Sequence, residues 1–147
     1  REDLDTVSVR KLADNILSNV AATWLPEGHR VSVGVEGPEL LLDSHRATSV
    51  ALVLNELIQN ALEHGVGAAG EGMVRVVISA DDERVSICVE NTGQPLPEGF
   101  DPQKSRNLGL QIVENLTRGE LKGSFVLSGG ETTRAEVAFA LHPEPHP

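Results

Sequence analysis

Glu56, Asn60 and His64 stand four residues apart within Asn55-Glu-Leu-Ile-Gln-Asn-Ala-Leu-Glu-His-Gly65. An α-helix turns about 100° per residue, so positions four apart form a rail along one side. A carboxylate and an amide oxygen on such a rail, at the border of an apolar stripe, can approach a metal-bound phosphate from below. Taken alone, the same spacing describes an ordinary solvated helix face, and the rest of the chain has to decide. Other candidate chemistry falls away on context. Gly65-Val-Gly-Ala-Ala-Gly70 matches G-x-G-x-x-G, but it leaves a helix and enters a strand, the reverse of what a dinucleotide site needs, so it reads as a connector. Lys104-Ser105 ends like a P-loop, yet Gln103 stands where the second glycine belongs. The sequon Asn115-Leu-Thr117 falls inside an expected helix. The five histidines and Cys88 show no ligand spacing, so no zinc site is expected.

The rail needs a helix to hold it. Val50, Val53, Leu54, Leu57, Ile58, Ala61 and Leu62 make one continuous apolar stripe, with Gly65 as its stop. An earlier amphipathic helix is marked by Val9, Leu12, Ala13, Ile16, Leu17, Val20 and Trp24, with Ser8 as N-cap and Pro26 beyond its end. Arg30 to Glu36 alternates as a strand. Met73 to Ala80 and Val85 to Glu90 read as two more, joined by the polar turn Asp81-Asp82-Glu83. Between the long helix and these strands, Gly65 to Gly72 reads as a loop. Asn91 to Arg106, with Pro95, Pro97 and Pro102, is a long irregular stretch of the kind that carries function or moves. Leu108 to Leu116 can form a short helix, and Ser124–Ser128 with Thr133–Leu141 a closing hairpin. The expected fold is α+β: a two-layer α/β sandwich whose mixed, mostly antiparallel sheet has helices on one face. The expected division is an N-terminal helix over 1–28, a main domain over 29–141 and a frayed tail over 142–147.

Composition sets the outer limits. The 147 residues are 39% hydrophobic and 23% charged, ordinary globular values, with only 3% aromatic, so aliphatic side chains must build the core. A net charge of −10 argues against nucleic acid, which needs a basic surface. One triphosphate needs far less: a cradle of N–H groups, a cation or two and a metal. No apolar run approaches the roughly 18 residues of a membrane span, and the first ten residues do not read as a signal peptide. The single cysteine suits a reducing compartment. A cytoplasmic domain without direct membrane contact is expected.

Four segments together carry a family resemblance. Asn55 to Gly65 resembles the N box of the GHKL, or Bergerat-fold, ATPases, a superfamily of gyrase, chaperone ATPases, histidine kinases and MutL-type proteins. Asn91-Thr-Gly-Gln-Pro-Leu-Pro97 resembles the first glycine box, and Asn107-Leu-Gly-Leu-Gln-Ile-Val113 the second. Gly129-Gly130-Glu-Thr-Thr-Arg134 resembles the Gly-Thr stretch that opens the last strand. Their order is correct, and the likeness covers about Arg30 to Leu141. Ser105 to Leu116, Glu120-Leu-Lys-Gly123 and a short lid over Phe100 to Arg106 are most similar to bacterial sensor histidine kinases whose phosphoacceptor helices are of the second type.

The resemblance implies roles. Asn60 would coordinate Mg2+ bridging the phosphates, and Glu56 would tune the metal site or orient the attacking group. His64 would border the nucleotide. The N–H groups around Leu108, Gly109 and Leu110 would hold phosphate oxygens at a helix start, and Lys104 and Arg106 would pair with the triphosphate. Gly93 would let the backbone approach adenine, Leu96 would lie beside it, and Thr133 would act with Asn91 on its amino edge. Asn91 stands where the family has an aspartate. A freely rotating amide there would present either its oxygen or its NH2, loosening the choice of ATP over GTP, and Asn91→Asp would restore it. Pro95 replaces the second glycine of that box, and Glu63 sits where many kinases have a lysine.

The implied function is a Mg-ATP-binding catalytic domain. It would pass the γ-phosphoryl group to a histidine on dimerisation helices of the same protein, from which a response regulator would take it. Two other readings share these motifs: an anti-sigma-factor-like serine kinase, and a degenerate GHKL domain serving as a protein-interaction module.

Overall fold

The computed structural model describes residues 5–66, 70–93, 95–96 and 107–142. The order is β1 (Thr6–Ser8), α1 (Val9–Trp24), β2 (Arg30–Glu36), β3 (Leu41–Asp43), α2 (Ser44–Asn60), a π-helical continuation (Ala61–Val66), β4 (Glu71–Ala80), β5 (Arg84–Asn91), α3 (Leu108–Gly119), β6 (Ser124–Ser128) and β7 (Thr133–Ala140). Each α-helix starts on a side-chain cap. Ser8 accepts from the Lys11 N–H, Asp43 from Arg46 and Asn107 from Leu110, so each start has one otherwise orphaned donor satisfied.

Five strands form the main sheet in the order β2-β4-β5-β7-β6. Only β2 and β4 run parallel, with Val33 beside Val74; the remaining pairs are antiparallel. Parallel neighbours need a long crossover, and the run through α2 supplies it. Asp81 makes the β4–β5 turn: its Oδ1 accepts from the Glu83 and Arg84 N–H groups, both at 2.8 Å. Period-2 alternation then puts Val74, Val76, Ile78, Val85, Ile87, Val89, Val137 and Phe139 on one buried face. Against it lies α2, with Val53, Leu54, Leu57 and Ile58 at 3% exposure or less. α1 packs beside α2 and sends Val9, Ala13, Leu17 and Val20 into the same core. The two-layer sandwich with helices on one face is as expected.

The other sheet face carries charge. Glu90, 5% exposed, accepts from Arg75 Nη2 at 2.7 Å and from Arg134 Nη1 at 2.5 Å, and Arg75 also reaches Glu36. A carboxylate this buried persists because both oxygens are met by guanidinium donors. Cys88 lies on that face, and burial pushes its thiol up to about 11. No helix among the described residues is long and apolar enough to cross a membrane.

One pair of strands was not expected, and one helix ends slightly differently than expected. β1 and β3 form a separate two-stranded antiparallel sheet, Val7 opposite Leu42; three residues are too few to show a period-2 pattern. The long helix does not stop at Gly65 but widens into a π-helical turn running to Val66. It ends one residue past Gly65, and the Val66 carbonyl accepts from the Gly70 N–H.

Candidate nucleotide-binding site

A pocket of about 350 Å³ opens between the helix layer and the end of the sheet. Its floor comes from inward positions of neighbouring strands, Val89 of β5 and Ala135 of β7, which are register partners. Leu57, Asn60, Ala61, His64 and Gly65 form the helical wall. Asn107 and Leu110 close it from the start of α3, with Pro95, Leu96 and Leu127 at the rim. Apolar walls around a few placed polar groups are the usual form of a small-molecule site, and the volume lies in that range.

The two polar groups at the sheet end are set by register. Asn91 and Thr133 face each other across the β5–β7 ladder, and both line the pocket. Asn91 is 6% exposed, and its Nδ2 donates to the Thr92 carbonyl oxygen at 2.8 Å. Thr92 is pinned in turn to Met73: its N–H donates to the Met73 carbonyl, and its Oγ1 accepts from the Met73 N–H at 2.9 Å. This contact opposes the free rotation expected of the Asn91 amide, since the flipped amide would set Oδ1 against the Thr92 oxygen with no proton between them.

Asn60, His64, Asn91, Leu96, Leu110 and Thr133 all lie on the pocket wall. Four other expected residues do not. Glu56 is one turn before Asn60, but its Oε2 lies against α3, where a Cβ on Gly109 would stand 2.5 Å from it. Residues 56 and 60 differ by about 40° around the helix axis, and the pocket faces the side of Leu57, Asn60 and Ala61. Gly109 thus makes room for a carboxylate from α2. Leu108 is 69% exposed and off the wall. Gly93 has φ +107°, and a Cβ there would stand 2.3 Å from the Gly65 carbonyl oxygen. Its close approach is to the end of the helix and not to the pocket. At the start of α3, the Leu110 N–H is already taken by Asn107 Oδ1 at 3.2 Å, so fewer donors remain for an anion than the bare helix start offers. Lys104 and Arg106, with the lid over residues 100–106, lie outside the described residues. Among the described wall residues His64 is the one titratable group; its imidazole is 3.7 Å from the Glu63 carboxylate, both well exposed.

Sequence reasoning missed Leu57, Ala61, Val89, Leu127 and Ala135 as pocket walls. Each was legible as an inward apolar position, but nothing local separates a core contact from a ligand contact. Asn107 was named only as the first residue of the second glycine box; the structure makes it both the cap of α3 and a wall of the pocket.

The comparisons with known proteins agree with this geometry. The family described as histidine kinase-, DNA gyrase B- and HSP90-like ATPase matches residues 45–145. The chain is 39% identical over 140 residues to a protein of Mycobacterium tuberculosis named sensor histidine kinase PdtaS, covering 95% of this chain and 27% of the relative. The protein of that name from Mycolicibacterium smegmatis is 36% identical, covering 86% and 26%. The chain thus spans about a quarter of the length of the curated relatives it matches. In fold it is similar to the histidine kinase domain of the Erythrobacter litoralis EL346 blue-light-activated histidine kinase, with TM-score 0.79 at 24% identity, over 90% of this chain and 65% of that one. It is also similar to the catalytic domain of histidine kinase ThkA, with TM-score 0.74 at 17% identity, over 95% and 97%. The motifs, the sandwich and the pocket they enclose therefore have one common reading: the chain belongs to the histidine kinase-, DNA gyrase B- and HSP90-like ATPase family.

Proposed function

We propose that this chain is the Mg-ATP-binding catalytic domain of a sensor histidine kinase. The observation that carries the reading is the pocket itself: Asn60 on the helical wall and the Asn91–Thr133 pair at the sheet end enclose one apolar cavity. Adenine enters against Val89, Ala61 and Leu110, with its amino edge toward Asn91 and Thr133. The ribose and phosphates then run past Asn60 and His64 toward the start of α3.

The residues present fit a magnesium ion. Mg2+ takes one or two protein oxygens and fills its remaining positions with phosphate and water, and Asn60 offers a neutral amide oxygen at the pocket wall. Bound there, the ion would supply positive charge to offset that of the triphosphate. Glu56, lying against Gly109, fixes the start of α3 relative to α2 and so aligns the two walls; it is a positioning residue here. Lys104 and Arg106 supply positive charge from the lid in this reading. The γ-phosphoryl group passes to an imidazole nitrogen of a histidine on dimerisation helices, with ADP as the leaving group, and then to a response regulator. The reading places the domain in the cytoplasm, where ATP is available and a free buried thiol such as Cys88 stays reduced.

Titrating Mg-ATP into the chain by calorimetry tests the reading. We expect a dissociation constant in roughly the micromolar-to-millimolar range. With acceptor helices supplied, Asn60→Ala is expected to lower phosphohistidine formation on the order of 100-fold or more while the domain stays folded. No heat at millimolar nucleotide, or undiminished transfer by folded Asn60→Ala, would remove the reading or the residue respectively.

A further inference from the structure

We infer that the charge row on the sheet face away from the helices is a clasp for the pocket, with Glu90 and Arg134 as positioning residues that hold β5 and β7 together where they carry Asn91 and Thr133. The inference rests on the nucleotide-binding reading and adds to it two residues that do not line the pocket. Register carries it. Asn91 opposite Thr133 is the last pair of the β5–β7 ladder. Among the described residues, no hydrogen bond joins the chain just after Asn91 to the chain just before Thr133. The end of a ladder is where strands separate most readily, yet here it must present two pocket side chains at a set spacing.

One row in, the same two strands are joined on the opposite face. Arg75, Glu90 and Arg134 are successive register partners across β4, β5 and β7. Glu90 Oε2 accepts from Arg134 Nη1 at 2.5 Å, while its Oε1 accepts from Arg75 Nη2 at 2.7 Å and Nε at 3.2 Å. Glu90 directly precedes Asn91, and Arg134 directly follows Thr133, so each clasp residue shares its backbone with a pocket residue. The Glu90 side chain is 7% exposed, and a carboxylate so placed holds its guanidinium partners closely because water does not compete well for them. The two flanks of β5 differ. Toward β4, Thr92 continues the pairing by bonding Met73 through both its N–H and its Oγ1. Toward β7, the Arg134 arm is the fastening nearest the ladder end. Arg134 is therefore the arm that governs the pocket, although Arg75 makes more contacts.

That asymmetry gives the test. Arg75 donates three hydrogen bonds to carboxylates, two to Glu90 and one to Glu36, and Arg134 donates one. A row that only stabilises the fold would make Arg75→Met the more damaging change in every measurement. We expect the two measurements to rank the variants in opposite order. In thermal melts without nucleotide, Arg75→Met should lose more in Tm than Arg134→Met. In calorimetric titrations of Mg-ATP well below either Tm, Arg134→Met should bind roughly tenfold more weakly than wild type, and Arg75→Met less than about threefold more weakly. Glu90→Gln keeps the volume, but its amide oxygen serves one guanidinium while its NH2 faces the other; it too should bind roughly tenfold more weakly, and it carries the test should Arg134→Met not fold. Folded Arg134→Met or Glu90→Gln with wild-type affinity overturns the inference. So does an Arg75→Met variant that loses as much affinity as Arg134→Met. A wild type that binds no Mg-ATP overturns the proposed function, and the inference falls with it.

Discussion

At the scale of single residues, the site is shaped by side chains that are missing as much as by those present. Gly65, Gly93 and Gly109 each sit where a Cβ would strike a neighbour: the Asn91 amide, the Gly65 carbonyl and the Glu56 carboxylate respectively. Gly93 is doubly constrained, since its φ of +107° is also one that L-residues rarely adopt. Gly93→Ala is therefore expected to destabilise the domain by about 2–4 kcal/mol, through strain and displacement of the helix end. A chain of this size should then lose on the order of 5–10 °C in Tm. An unchanged thermal melt would show that the β5 end and the helix end are not packed as described. The glycines were legible in the sequence as parts of boxes. Their partners were not, because each partner comes from a different element, and spacing along the chain says nothing about contact across space.

At the scale of elements, α2 is the member that carries the site, and its start is fastened to the far end of the sheet. Arg46 donates from Nε to Asp43 at 2.7 Å, and from its two terminal nitrogens to the Ala140 and Leu141 carbonyls, both at 2.8 Å. The guanidinium also lies over the Phe139 ring. Arg46→Met keeps the stem but leaves two carbonyls without these donors. It is expected to cost about 2–3 kcal/mol, read as a lower urea midpoint. The loss should depend on pH. Burial pushes the Asp43 carboxyl up, but the Arg46 guanidinium and backbone N–H outweigh it and hold the group below its ordinary 3.8. Stability from a depressed carboxyl is fully present above its unfolded value and is lost as pH falls through the folded one. The gap between wild type and Arg46→Met should therefore narrow below about pH 3.8. A gap constant to pH 2 would uncouple Asp43 from Arg46.

At the scale of the whole molecule, α1 is part of the body that holds the pocket. Val9 and Ala13 are fully buried and Leu17 is 2% exposed, all in the core that includes α2 and the sheet. We expect a fragment starting at residue 29 to lose cooperative melting by circular dichroism, because it exposes the flank of α2 that α1 now covers. A fragment melting like the full chain would instead make α1 a separate unit. What the sequence determined by itself is what covalent geometry repeats along the chain. The helical pitch made the stripe from Val50 to Leu62 readable, the strand period made β4, β5 and β7 readable, and Ser8 before an apolar run marked a cap. The order of the four boxes pointed to the family, and the resemblance linked Asn91 with Thr133, which the β5–β7 register sets opposite each other. Tertiary structure decided the rest. It widened the last turn of the helix into a π-turn, turned Glu56 toward Gly109, and paired β1 with β3. It also gave the Asn91 amide a partner in the Thr92 carbonyl. These outcomes depend on hydrogen-bond partners and packing between distant elements, which compete with local preference and leave no periodic trace in the chain.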